Sequence, residues 1–166
     1  LKLMNRKYDF DYFFKKVQDI RQIRPNMAIT TDVIVGFPGE SEEDFLETLN
    51  TCRKLTFAKI HVFPYSERQG TKAMELPFHV DVPVKKERAR RLLLLSKELE
   101  CSYYDKFIDK EVLVLVEEVK NGKSYGHTDT YLHVEIPTIL PKNEFVMVKI
   151  LEVRYPYCVG ELSLVQ

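Results

Sequence analysis

Two short runs rich in β-branched residues, Ala28 to Val35 and Lys59 to Phe63, are separated by a stretch of helical period, and this order constrains the fold most. Strands joined through a helix lie parallel, since antiparallel neighbours need only a tight turn while a parallel crossover takes a dozen residues or more. The first run stops at Gly36-Phe37-Pro38-Gly39, a tight loop. Ser41 follows as an N-cap candidate, with Glu42, Glu43 and Asp44 suited to the positive end of a helix and Phe45, Leu46, Leu49 and Cys52 as its apolar stripe. Ahead of the first strand, Phe10, Phe13, Phe14, Val17, Ile20 and Ile23 recur at helical spacing until Pro25. The order helix, strand, helix, strand predicts a parallel sheet covered by helices. Two strands leave both outer edges unpaired, so the sheet is expected to continue outside these residues or to pair with a second copy. With no initiator methionine at Leu1, the chain reads as the last portion of a (β/α) barrel.

Pro64 to Pro83 reads as a long ordered loop, and Val84 to about Phe107 as a helix entered from Asp81 and Pro83. From Glu111 the period changes. Val112–Val119, Ser124–Gly126, Tyr131–Ile136, Phe145–Val153 and Gly160–Val165 are five short strand candidates, with Asn121-Gly122 as a hairpin turn. The expected fold is therefore α/β followed by all-β, a partial barrel over 1–104 and a five-stranded β-barrel of the oligonucleotide-binding (OB) kind over 105–166, with the boundary between Ser102 and Lys110.

Residues 1–100 carry 18 Lys and Arg against 15 Asp and Glu, and residues 101–166 carry 7 against 10, so the small barrel is not a basic patch. No apolar run approaches the ~18–20 residues of a bilayer span, which predicts a soluble protein without membrane contact. Cys52, Cys101 and Cys158 are odd in number and far apart, fitting neither a disulfide framework nor a cluster motif; they read as small buried hydrophobes in a reducing, cytoplasmic compartment.

Three blocks carry a family resemblance: Met4-Asn5-Arg6-Lys7-Tyr8; Ala28 to Glu40 (AITTDVIVGFPGE); and Ile60 to Ala73, with His61-Val62-Phe63-Pro64-Tyr65-Ser66, Arg68 and Gly70-Thr71. Together they resemble the radical-SAM methylthiotransferases, and the pairing of Thr31-Asp32 with His61 to Pro64 is similar to the MtaB type, which methylthiolates threonylcarbamoyladenosine at position 37 of tRNA. The isopentenyladenosine and ribosomal-protein branches are similar but differ at these strands. Gly126 to Tyr131 resembles the family's TRAM domain. The resemblance implies a (β/α) radical-SAM barrel, S-adenosylmethionine, two 4Fe–4S clusters and a tRNA anticodon loop as partner. A 5′-deoxyadenosyl radical would abstract hydrogen from C2 of the modified adenosine before sulfur and a methyl group are added. The family's CxxxCxxC motif is absent from the chain, so the cluster ligands are expected outside it, and the chain by itself is expected to be catalytically incomplete. A non-enzymatic RNA-binding module with an α/β appendage is the alternative.

In (β/α) barrels the chemistry sits at the carboxyl ends of the strands. The resemblance implies that Gly36, Phe37, Pro38, Gly39, Glu40, Phe63, Tyr65 and Ser66, with Arg6 and Arg68, line the S-adenosylmethionine pocket. A plain turn plus N-cap explains the glycines equally well, and a phosphate loop is opposed by Glu40, Glu42, Glu43 and Asp44. Arg6 and Arg68 suit a carboxylate or an RNA phosphate, or ion pairs with Glu67, Glu75 or Asp32. Asp32, inside an apolar strand, needs a partner or a role. His61 reads as a hydrogen-bonded core or rim residue, and His127 and His133 lack metal-ligand spacing. The run Lys85-Lys86-x-Arg88-x-Arg90-Arg91 is expected on the helix face opposite the leucines, either solvated or set against RNA phosphates through Lys85, Lys86 and Arg88. In the barrel Lys120, Lys123, Tyr125, His127 and Tyr131 combine charge with rings able to stack on unpaired bases.

Overall fold

The computed structural model describes residues 1–163. They form two compact units that divide between Leu99 and Glu100. No helix among the described residues is long and apolar enough to cross a membrane.

In the first unit, helix α1 (Phe10–Ile23) leads to strand β1 (Thr30–Val35), helix α2 (Glu42–Leu55), strand β2 (Lys59–Pro64), a 3₁₀ turn (Lys72–Glu75) and helix α3 (Val82–Asp105), whose last turn belongs to the second unit. β1 and β2 pair in parallel, with Asp32 opposite His61 and Ile34 opposite Phe63. Asp9 caps α1, its carboxylate accepting from Tyr12 N–H at 2.9 Å. Ser41 caps α2 as expected: its hydroxyl accepts from Asp44 N–H (3.1 Å) while the Asp44 carboxylate accepts from Ser41 N–H (2.9 Å). That reciprocal pair satisfies two of the donors a helix start leaves open. The core joins Val17, Val35, Phe45, Leu49, Leu55, Phe57, Ile60, Leu92 and Leu95. Ser96 on α3 serves Ile60 of β2, its hydroxyl accepting from the backbone N–H (3.0 Å) and donating to the carbonyl (3.1 Å).

Among the described residues only one face of the two-stranded sheet is covered. Thr31, Val33 and Val35 lie on it, whereas Thr30, Asp32, Ile34, Lys59, His61 and Phe63 are exposed on the other. Asp32 and His61, register partners, thus both lie on the uncovered face of this chain. The period-2 alternation of a strand puts the whole set on one side.

The second unit is a closed barrel of β3 (Glu111–Lys120), β4 (Lys123–Thr128), β5 (His133–Ile136), β6 (Phe145–Arg154) and β7 (Tyr157–Leu162). The order around it is β3-β4-β5-β7-β6, with β6 closing on β3; only β5 and β7 are parallel. The expected five-stranded barrel is present. Asn121 (φ 51°) and Gly122 (φ 77°) form its first turn, the backbone a two-residue hairpin requires. Its interior holds Val114, Val116, Leu132, Val134, Ile136, Val148 and Ile150. Tyr103 from α3 donates to the Thr130 carbonyl (2.9 Å), and buried Glu100 accepts from the hydroxyls of Tyr104 (3.2 Å) and Tyr155 (3.3 Å). Two strand expectations shift. Tyr131 sits in a left-handed turn (φ 59°) outside β5. β7 starts at Tyr157, because a two-residue turn returns the chain directly from β6; the expected end of that strand at Val165 lies outside the described residues.

Gly126 marks where the barrel is tightest. A Cβ there would lie 1.9 Å from the Leu115 carbonyl oxygen, while at Gly122 it would meet nothing. Gly126→Ala is therefore expected to destabilise the barrel by about 2–3 kcal/mol through forced backbone displacement, against about 1 kcal/mol for Gly122→Ala from its positive φ alone. Urea unfolding of both variants checks the order.

Candidate functional site

The loop at the end of β1 is held by one carboxylate. Glu40 Oε1 accepts from Gly36 N–H (2.8 Å) and from Arg88 (2.7 Å), and Arg88 also donates to the Glu40 carbonyl (3.0 Å). Glu42 extends the link, pairing with Arg91 at 2.6 Å and with Arg88 at 3.6 Å. Burial pushes the Glu40 carboxyl up, while the Gly36 N–H and Arg88 pull it back, leaving a net rise. Arg88 and Arg91 also lie over the Phe45 ring, at 5.6 and 4.8 Å.

The glycines are explained by the protein itself. A Cβ at Gly36 (φ 72°) would strike Lys85 Cγ at 2.4 Å, so the Lys85 stem fills the space that glycine leaves. Gly39 (φ 84°) donates to the Phe78 carbonyl at 2.9 Å. Beside them stands an aromatic group: Phe37 meets Tyr65 edge to face (5.3 Å), His79 lies 6.5 Å from Tyr65, and Lys85 Nζ sits 5.1 Å above the Tyr65 ring. The Tyr65 hydroxyl is buried and has no hydrogen-bond partner. Pro38 is buried, whereas Phe63, Ser66 and Arg68 are exposed, the Arg68 carbonyl accepting from the Thr71 hydroxyl (2.8 Å). Arg6 is exposed in a turn ahead of α1, its N–H on the Leu1 carbonyl (2.9 Å). Glu67 pairs with His79 (3.1 Å). Two surface hollows, of about 380 and 400 Å³, lie along helix flanks lined by Phe10, Leu46 and Asn50 and by Leu49, Arg91 and Leu94; neither is lined by Gly36, Phe37 or Tyr65.

The basic run on α3 does not lie opposite the leucines. Lys85 and Arg88, 9% and 5% exposed, share a stripe with Ala89, Leu92, Leu95 and Leu99, while Leu93 and Leu94 face solvent. The Lys85 stem packs on Gly36 with its Nζ over the Tyr65 ring, and Arg88 is held by Glu40, so neither projects outward as an RNA contact on this face would. Lys86 and Arg90 remain outward, Arg90 paired with Glu87 (2.8 Å).

On the barrel, β4 points Lys123, Tyr125 and His127 outward in alternation with buried Ser124, Gly126 and Thr128. Lys123 pairs with Glu135 (2.6 Å), Tyr125 donates to the same carboxylate (3.0 Å), and His127 meets Glu117 (2.7 Å). Lys120 and Tyr131 are exposed. The structure adds two rings that had no place among the expected contacts, His133 and Tyr157. His133 stacks on His127 with centroids 4.4 Å apart and planes at 11°, and Tyr157 lies 4.4 Å from His133 and 5.1 Å from Tyr125. A signal for His133 existed: a hairpin between the two histidines makes them a cross-strand pair.

Among known proteins, threonylcarbamoyladenosine tRNA methylthiotransferase MtaB of Bacillus subtilis is 39% identical over 167 residues, 97% of this chain and 37% of that protein. A tRNA-2-methylthio-N(6)-dimethylallyladenosine synthase of Caldicellulosiruptor saccharolyticus is 38% identical over 98% of the chain and 35% of its own length. The chain belongs to the tRNA methylthiotransferase family. It spans little more than a third of the length of these relatives. A synthase of the same name from Acetivibrio thermocellus is 46% identical over 119 residues, 72% of the chain. No family model matches. Among solved structures, U. maydis replication protein A bound to ssDNA aligns with 40% of the chain and 66% of its own at 15% identity and a TM-score of 0.28, too remote to bear on the fold or function.

The groups that methylthiotransferase chemistry calls for fit this chain unequally. Burial pushes the Cys52 thiol up to about 11 and the Cys158 thiol up to about 12, and cluster iron binds thiolates. Among the described residues no three His, Cys, Asp or Glu side chains gather as a metal site. Cluster ligation does not fit these residues. The strand-end loops fit a small molecule better, since the buried Tyr65 hydroxyl has no partner in the fold.

Arg88→Met leaves the Glu40 carboxylate buried without its counter-ion, an expected loss of about 3–5 kcal/mol. Because the Glu40 pKa is raised in the folded chain, folding favours its protonated form, and the penalty shrinks as pH falls toward the carboxylate range. Urea titrations should show the variant's deficit at pH 7.5 exceeding its deficit at pH 5; equal deficits would contradict the lock.

Proposed function

We propose that this chain is the C-terminal part of an enzyme that methylthiolates N6-threonylcarbamoyladenosine at position 37 of tRNA in the cytoplasm. The observation that carries the reading is the 39% identity to the Bacillus subtilis enzyme of that name, sustained over 97% of the chain. The Thr31-Asp32 and His61 to Pro64 blocks, which form one register of adjacent strands, support the same branch. On this reading β1 and β2 are the last strands of a radical-SAM (β/α) barrel completed by residues outside this chain, which also hold its two 4Fe–4S clusters.

S-adenosylmethionine, when bound, supplies the carbon radical that removes a hydrogen atom from the adenosine base. The chain's own part is to bind and orient it. Phe37 offers ring surface to the adenine, the Gly36 to Glu40 loop offers backbone groups, and the Tyr65 hydroxyl a hydrogen bond; Phe63, Ser66, Arg68 and Arg6 complete the proposed contacts. The tRNA contacts reduce to Lys86 on α3 and to Lys120, Lys123, Tyr125, His127 and Tyr131 on the TRAM-like barrel.

The parent protein, expressed in cells lacking their own tRNA methylthiotransferases, is expected to convert threonylcarbamoyladenosine to its methylthio derivative, read by mass spectrometry of tRNA nucleosides. A methylthio derivative of dimethylallyladenosine instead would move it to the other branch. Absence of both would sink the reading.

A further inference from the structure

The four outward rings of the barrel form one continuous row. His127 on β4 and His133 on β5 are register partners and stack in parallel. His133 then meets Tyr157 of β7, which in turn meets Tyr125 of β4. All four side chains are half-buried, so their bodies are fixed by packing while ring surface stays in water. Neighbouring residues along each strand, Gly126, Val134 and Cys158, are buried on the inner side, so the row is a property of the outer face alone.

Charge decides what such a face can hold. The cations at its rim are already neutralised: Lys123 by Glu135, and Arg154, the register partner of Tyr157, by Glu152. With 7 basic against 10 acidic residues beyond position 100, phosphate attraction alone holds a nucleic acid weakly here. Base stacking on aromatic rings does not depend on that balance, and is worth about 1–3 kcal/mol per base. Planar rings with polar edges and no aliphatic cover suit nucleobases better than an apolar peptide.

We infer that the outer face of β4, β5 and β7 is a stacking surface for consecutive unpaired bases of RNA, with Tyr157 and His133 as its central contacts. The inference rests on the tRNA-enzyme reading and deepens it, adding His133 and Tyr157 to Tyr125 and His127 and making the rings, not the cations, the main contact. Tyr131, outside the row on its turn, and Lys120 are not members.

The test is fluorescence anisotropy of the whole 166-residue chain with a labelled ten-nucleotide oligouridine and with an RNA duplex of equal length. The single strand is expected to bind at least tenfold more tightly. Tyr157→Leu and His133→Leu should each weaken it about 5- to 50-fold, Tyr157→Phe should remain within about twofold, and the salt slope should stay no steeper than about −1.5, corresponding to two phosphate contacts. Because a leucine variant may fail to fold, NMR of the unaltered chain gives an independent reading. It has four histidines, and the His127 and His133 ring protons should shift upfield with RNA while those of His61 and His79 stay in place. Equal binding of duplex, leucine variants within twofold of the parent, no binding of the oligomer, or unmoved imidazole signals would each overturn the surface. The tRNA nucleoside assay stands apart: methylthiolation by a parent protein whose ring row binds no RNA removes this inference and leaves the enzyme reading intact.

Discussion

One oxygen of Glu40 ties the loop after β1 to a helix that begins more than forty residues later. Gly36 and Arg88 donate to the same Oε1, and the positions of both depend on it. Gly36 turns through a positive φ, its missing Cβ admits the Lys85 stem, and the Lys85 ammonium then lies over Tyr65. The same lattice carries Glu42 across to Arg91 and sets both guanidiniums against the Phe45 ring. A charged pair buried this deeply contributes little net stability against an apolar substitute, but either partner left alone is costly. Its effect is to give the strand-end loop one conformation, with Phe37 and Tyr65 presented together.

The local features were legible because they are set by neighbours in sequence. The Ser41 cap, the Asn121-Gly122 turn of the barrel and the period of α1 each depend on a few adjacent residues. The basic run shows the limit. As a composition, Lys85 to Arg91 reads as a solvated or RNA-facing surface. As a helix, Lys85, Arg88, Leu92 and Leu95 follow one another at steps of three, four and three, and so share one buried stripe. The phase was present in the sequence; what was missing was Glu40, an acidic partner contributed from another element.

Asp32 shows the opposite failure. Its strand is apolar enough to suggest burial on both sides, yet only one face of the β1–β2 pair is covered among the described residues. Whether a strand is buried once or twice depends on what packs against it, and alternation alone does not report that. The candidate S-adenosylmethionine residues divide accordingly. Those whose geometry the protein explains by itself, Gly36 and Gly39, were the most conspicuous in sequence, while the group left with an unspent hydroxyl, Tyr65, was conspicuous only once its surroundings were known.

The barrel inverts the usual order of argument about nucleic-acid surfaces, in which basic residues are counted first. Here the count is unfavourable, and the cations nearest the rings already hold carboxylates. A surface of this kind gains little from a phosphate backbone passing by, and so discriminates against duplexes, whose base faces are stacked away inside. It gains from bases that are already unstacked. On the proposed reading a loop bearing a modified adenosine would present such bases, and a ring row held by three strands would meet them with its rings already packed in place. Selectivity for unpaired RNA then follows from the weakness of the charge as much as from the strength of the rings.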